Sequence, residues 1–272
     1  ATDPDPEEES HRTSLFVVPA DGSRPPHRLT RASDAGSPAW SPDGSRLAFT
    51  AAREEDAGLA VARGSEERAE EPTDEGTGAN GDGEGEGEDE GPIGEGPRSH
   101  VWVFDLELGG DAGQVTTDES FPEGVSGFDW GPAGDRMVVA ARDPTDDQRE
   151  YLRSRREEDG PVVTERLQHK GDGAGWLDDV TTYLFVIDVP TREARRLDDA
   201  YGGGALEFMT GLDPAWGTDR IAFLSNRTEE PDDSGAMDVY TIRPDGTGLE
   251  RRTDRDLLAT DLAWDDAGDR LA

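Results

Sequence analysis

The chain has 272 residues, of which 63 are acidic and 27 basic, giving a formal net charge of −36. So anionic a surface argues against nucleic acid and against anionic membranes as partners, because both demand a cationic face. The absence of cysteine excludes disulfides and thiolate chemistry, and no apolar run reaches the roughly 18 residues of a membrane-spanning helix.

In chain order, the first strand is Leu15-Phe16-Val17-Val18, followed by a turn and a short segment ending Arg28-Leu29-Thr30. Next comes a strand ending in Ala39-Trp40, then Ser41-Pro42-Asp43-Gly44, then the apolar strand Arg46-Leu47-Ala48-Phe49. Pro presets φ and Gly supplies a positive φ, so this is a tight hairpin. The same two patterns recur. Val101-Trp102-Val103-Phe104-Asp105, Leu184-Phe185-Val186-Ile187-Asp188 and Val239-Tyr240-Thr241-Ile242 repeat the first. Hairpins at Trp130 (Gly131-Pro132-Ala133-Gly134), Trp216 and Trp264 repeat the second. The third copy is shorter between Trp216 and Ile221, so its turn must be tighter.

Two patterns of two strands make a unit of four short antiparallel strands. The interval from Trp216 to Trp264 is one such unit, within the roughly 40–50-residue propeller period. The two earlier intervals are nearly twice as long, and each holds one unit plus an insertion. The fold class is therefore all-β: a partial β-propeller of four-stranded antiparallel blades, truncated at both ends, with blade cores at about 14–51, 100–141, 183–224 and 237–272. An aromatic at one place in every repeat is expected to pack between adjacent blades. The turn aspartates are expected to serve the turns and not a metal.

The insertions differ. Residues 63–98 are a Gly/Glu/Asp tract with no apolar period, expected to be a disordered acidic loop; it fails the spacing of a calcium loop. Residues 142–182 hold a charged segment (Gln148 to Arg156), a strand-like run (Pro161 to Lys170) and a Gly-rich turn, Gly171-Asp172-Gly173-Ala174-Gly175. They are expected to form a projecting arm or hairpin. The glycine run lacks the Gly-Lys-Ser/Thr ending of a phosphate loop.

Trp40-Ser41-Pro42-Asp43-Gly44 with Arg46-Leu47-Ala48-Phe49 resembles the WD-like repeat of TolB and of the prolyl oligopeptidase family. The arm, whose Lys170-Gly171-Asp172-Gly173-Ala174-Gly175 turn leads into Leu184-Phe185-Val186-Ile187-Asp188, is similar to that of acylaminoacyl-peptidases and dipeptidyl aminopeptidases in that family. The resemblance implies a non-catalytic propeller that gates and positions peptide substrate for a serine-type α/β-hydrolase domain following in sequence, with no cofactor and no metal. It makes the arm the candidate substrate entrance, with Arg149, Tyr151, Arg166 and Trp176 as its residues. No Gly-x-Ser-x-Gly elbow is present, since Gly124-Val125-Ser126-Gly127-Phe128 ends in Phe, and no catalytic residue is assigned. Expressed alone, the chain is expected to fold poorly and to hydrolyse nothing. Both ends look cut: Ala1 is not an initiator Met, and Leu271-Ala272 stops inside a repeat. A TolB-like binding propeller remains the alternative. A propeller with a catalytic channel would need polar ligands recurring on the innermost strands, where Asp129, Asp213 and Asp261 look scattered in register.

Without a visible signal peptide the expected location is cytoplasmic. The acidic, one-lysine composition (Lys170) resembles proteins of extreme halophiles, a haloarchaeon above all. It predicts a higher melting temperature in molar salt, where screening acts within about 3 Å. Circular dichroism across a salt series checks this.

Overall fold

The tryptophan motifs at Trp40, Trp130 and Trp216 form hairpins, and each of these opens a four-stranded antiparallel sheet. The computed structural model describes residues 2–5, 10–30, 35–52, 98–109, 112–158, 160–171, 175–254, 258–265 and 267–272. All of the acidic tract at 63–98 except Arg98 lies outside them. A short pair, β1 (Thr2–Asp5) with β2 (Ser10–Thr13), is followed by a second pair, β3 (Phe16–Val17) with β4 (His27–Arg28). The first full sheet is β5 (Gly36–Trp40), β6 (Arg46–Ala51), β7 (His100–Asp105) and β8 (Gly113–Gln114), in that spatial order. The second comprises β9 (Gly127–Trp130) and β10 (Arg136–Arg142), then β13 (Thr182–Asp188) and β14 (Ala194–Tyr201). The third is β15 (Ala215–Trp216), β16 (Ile221–Ser225), β17 (Asp238–Ile242) and β18 (Glu250–Arg251). Beyond it Trp264 bridges Leu271.

The core lies between sheets. Side chains alternate across a strand, and β10 divides its apolar residues accordingly. Met137, Val139 and Ala141 pack with Trp130, Val101 and Ala48 against the first sheet. Val138 and Ala140 pack with Trp216, Ile221 and Phe223 of the third. Strands covered on both faces have no solvent side to mark with polar residues, and every residue of β16 and β17 is buried. Similar layers join the first sheet to Leu15 and Leu29, and the third to Leu262 and Leu271.

The recurring Thr has a clear function. Its hydroxyl accepts a backbone N–H at the start of β3, β7 or β17: Thr30 from Leu15 (3.0 Å), Thr116 from Val101 (2.9 Å) and Thr253 from Val239 (2.9 Å). In the second sheet Asp198 holds the corresponding place, and the β13–β14 register shifts at Tyr183/Leu184. Turn aspartates cap their turns. Asp43 Oδ1 accepts from Ser41 Oγ (2.6 Å), Ser45 N (3.0 Å) and Ser45 Oγ (2.9 Å), and these hydrogen bonds hold its carboxyl down at about 2. The shortened third turn is closed by Gly217 N donating to Arg220 O (2.9 Å).

An antiparallel meander places its connections alternately at opposite ends. One end therefore collects the turns at 41–45, 131–135 and 217–220, with the 106–112, 189–193 and 243–249 connections. The other end collects 143–181 and 226–237, together with the sheet-to-sheet connections and the described ends of the β6–β7 connection, Ala52 and Arg98–Ser99. The arm belongs to this second end.

The arm departs from its sequence reading in two ways. Its charged segment is a helix, α1 (Asp146–Glu157), with a Thr145/Gln148 capping box, acids in its first turn and arginines in its last. The strand-like run to Lys170 enters no sheet before Lys170 and bends at Leu167. Tyr151 Oη donates to Val163 O (3.0 Å) and accepts from Val163 N (2.9 Å), so a side chain takes the backbone groups a neighbouring strand would take. Only β11 (Lys170–Gly171) and β12 (Gly175–Trp176) pair as a hairpin.

Candidate functional site at the root of the arm

A cavity of about 400 Å³ opens at the insertion end, between the arm, the second sheet and the short helix α2 (Glu207–Thr210). Arginines from three places bind the arm down around it. Arg156, in the last turn of α1, donates to both oxygens of Glu123 (2.8 and 2.7 Å). Arg142, at the end of β10, bonds Asp178 and stands 3.6 Å from Glu123. Arg166 donates to Asp232 (3.0 Å) and to the Asp178 carbonyl (2.9 Å). Burial alone would raise Glu123, whose side chain is 6% exposed. The hydrogen bonds and charge of Arg156, with Arg142 and Arg98, outweigh that and hold its carboxyl below the ordinary range.

α2 supplies the opposite wall. Glu207 is half-buried beside the Thr182 hydroxyl, and burial pushes its pKa up while Thr182, Arg166 and Arg142 pull the other way. Two glycines make room for this wall. A Cβ at Gly202 would lie 2.6 Å from the Glu207 carboxyl, and one at Gly171 would lie 2.7 Å from the Phe208 ring. At the rim Trp176 is 38% and Met209 71% exposed.

Of the four residues expected at a substrate entrance, Arg166 and Trp176 line this cavity. Tyr151 holds the segment at Val163, and Arg149 pairs with Asp146 (2.7 Å) and Asp143 (3.5 Å) away from it. Glu207 and Phe208 were not singled out in the sequence. The nearby Gly202-Gly203-Gly204 run is the signal that could have found them, because backbone that must admit other side chains needs glycine.

A second cavity, of about 600 Å³, lies along the first strands of the second and third sheets and the segment at Trp264. Asp213 and Asp261 share one register, three residues before their tryptophans, and both have positive φ (43° and 57°); only Asp129, directly before Trp130, stands apart. Asp213 Oδ2 accepts from Leu262 N (2.7 Å), and Asp129 accepts from Trp130 N (2.8 Å) and Trp216 N (2.7 Å). Burial raises the Asp129 carboxyl, those two N–H groups oppose the rise, and Asp213 adds to it. These carboxylates tie the first strand of one sheet to the segment that follows it in the next. Ser126 at the first cavity donates to Ala140 O (3.2 Å). His100 is buried between Thr116 and Asp118 in the first sheet.

No family model matches the chain. It is similar to the uncharacterized peptidase YuxL of Bacillus subtilis (strain 168), at 26% identity over 247 residues, covering 87% of this chain and 28% of the relative. Among solved structures it is similar to the acylaminoacyl peptidase of Pyrococcus horikoshii (TM-score 0.54, 18% identity, 93% of this chain and 30% of that one). It is also similar to an acylaminoacyl peptidase in complex with Z-Gly-Gly-Phe-chloromethyl ketone (TM-score 0.55, 18% identity, the same coverage). The structural likeness establishes a shared arrangement of sheets. The chain spans less than a third of the length of these relatives.

Proposed function

We propose that the three sheets are blades of a partial β-propeller, and that the chain is the non-catalytic propeller of a serine-type peptidase. In this reading the insertion end admits and positions peptide for an α/β-hydrolase domain elsewhere in the protein. The observation that carries it is the one-sided build: the turns of one end are short and alike, while the arm, α2 and the cavity between them all lie at the other. Similarity to a peptidase over 87% of the chain supports the class of enzyme. No described residue is given a catalytic role: the Ser126 hydroxyl is committed to the Ala140 carbonyl, and the His100 ring is committed to Thr116 and Asp118.

The whole gene product tests this. It is expected to hydrolyse short peptides or blocked aminoacyl substrates, to spare large folded proteins, and to lose activity when the serine of a Gly-x-Ser-x-Gly elbow is replaced by alanine. A gene product lacking a hydrolase domain, or one inert toward every peptide tried, refutes the proposal.

A further inference from the structure

We propose that the cavity at the root of the arm binds a cationic side chain of a peptide, lysine or arginine, with Glu207 as its counter-ion. The proposal rests on the peptide-handling function just given and names the substrate feature that the cavity selects.

The first argument is the pairing of charges. Arg142 bonds Asp178, Arg156 takes both oxygens of Glu123, and Arg166 bonds Asp232. Glu207 is different. Its polar neighbour is a neutral hydroxyl, that of Thr182, and Arg166 and Arg142 act on it only as nearby charges. It is the carboxylate of this cavity without a directly bonded cation among the described residues. A half-buried carboxylate in that position gains from any cation delivered to it, because the incoming charge offsets the desolvation already incurred.

The second argument is the shape of the route. The carboxyl rests against the buried backbone at Gly202, and the Phe208 ring rests against Gly171. Trp176 and Met209 stand exposed at the opening. A ligand therefore passes apolar surface before it meets the charge. Lysine and arginine match this order, with an apolar stem carrying a terminal cation, and an aromatic face such as Trp176 favours a passing cation. An α-ammonium group lacks the stem, and would reach Glu207 only if the main chain itself entered the cavity.

Calorimetry on the whole gene product tests the assignment, using acetyl-Gly-Lys-Gly-amide, its arginine and norleucine counterparts, and Gly-norleucine-Gly-amide with a free amino terminus. The lysine and arginine peptides are expected to bind at least about tenfold more tightly than blocked norleucine. Glu207→Gln, which keeps an acceptor for Thr182, is expected to abolish that difference with an unchanged circular dichroism spectrum. If that variant does not fold, Trp176→Ala at the exposed rim is expected to weaken the lysine peptide several-fold. Equal binding of lysine and norleucine peptides, no binding of either, a preference that survives Glu207→Gln, or a preference for the free amino terminus overturns the proposal. Hydrolysis is scored separately. A Glu207-dependent lysine preference in a protein that cleaves no peptide refutes the peptidase function and leaves the cation site standing; cleavage without the preference refutes the site alone.

Discussion

In the second sheet, Trp130 is 4% exposed and donates through Nε1 to the Ala39 carbonyl of the first (3.1 Å), with Arg46 lying over its ring. Trp264 does the same to Ala215 (3.0 Å), and Arg136 lies over Trp216. The arm is attached by other means. Arg156, Arg142 and Arg166 bond Glu123, Asp178 and Asp232, and Leu152 is the one buried residue of α1. One region is a packing solution repeated from sheet to sheet, and the other is a single arrangement of charges around a cavity. Repetition in the sequence thus marks what holds the sheets together, and the cavity with its charged residues lies where the repeat is interrupted.

Substitutions should divide along this line. Trp130→Ala removes an aromatic wedged between two sheets and is expected to cost about 3–5 kcal/mol of stability, seen as loss of the cooperative transition in urea. Trp40→Ala, at a position 50% exposed, is expected to change stability by about 0.5 kcal/mol or less. Arg156→Ala leaves Glu123 buried without its two directly bonded N–H groups and with only Arg142 and Arg98 as nearby charges, and is expected to cost about 2–3 kcal/mol. That loss should be local: hydrogen exchange should quicken in α1 and not in β10 or β16. Equal quickening everywhere would erase the distinction between the two regions.

The pH dependence should divide in the same way. Glu207 has a raised carboxyl in the folded state, so between its ordinary value of 4.5 and its folded value the native state holds more proton than the unfolded one. Its contribution to stability is greatest below that window and falls as pH rises through it. Glu207→Gln should remove this slope and raise stability at neutral pH, as measured by urea midpoints across pH. Asp43 at the turn end has the opposite sign. Its carboxyl lies at about 2 against an ordinary 3.8, so its stabilisation is present above 3.8 and is lost as pH falls toward 2. Being fully exposed, it should give the smallest effect, and Asp43→Ala should lower the melting temperature only slightly.

The repeated part was legible because the sheets answer the same demands with largely the same residues. A tryptophan ends the first strand and a tight turn follows in all three, and a threonine accepts a third-strand N–H in the first and third, with Asp198 at that place in the second. The arm was legible only as an interruption. Its helix carried a usable signal, the Thr145/Gln148 box with Asp146, Asp147, Arg155 and Arg156 at its ends, but its apolar side is too thin to give a helical period. Pro161 to Lys170 has strand-like residues yet no strand partner, since Tyr151 takes the backbone of Val163. Glu207 could not be found by composition in a chain with 63 acidic residues. What distinguishes it is its resting place over Gly202, a tertiary fact.

The central claim is that peptide meets the molecule at the insertion end. Hydrogen exchange of the whole gene product, with and without a saturating blocked lysine peptide, tests it most directly. Slowed exchange is expected at 164–171, 175–180 and 205–211, with no change in the turns at 41–45, 131–135 and 217–220. Protection of those turns, or none at the arm and α2 while the peptide is bound, would contradict it.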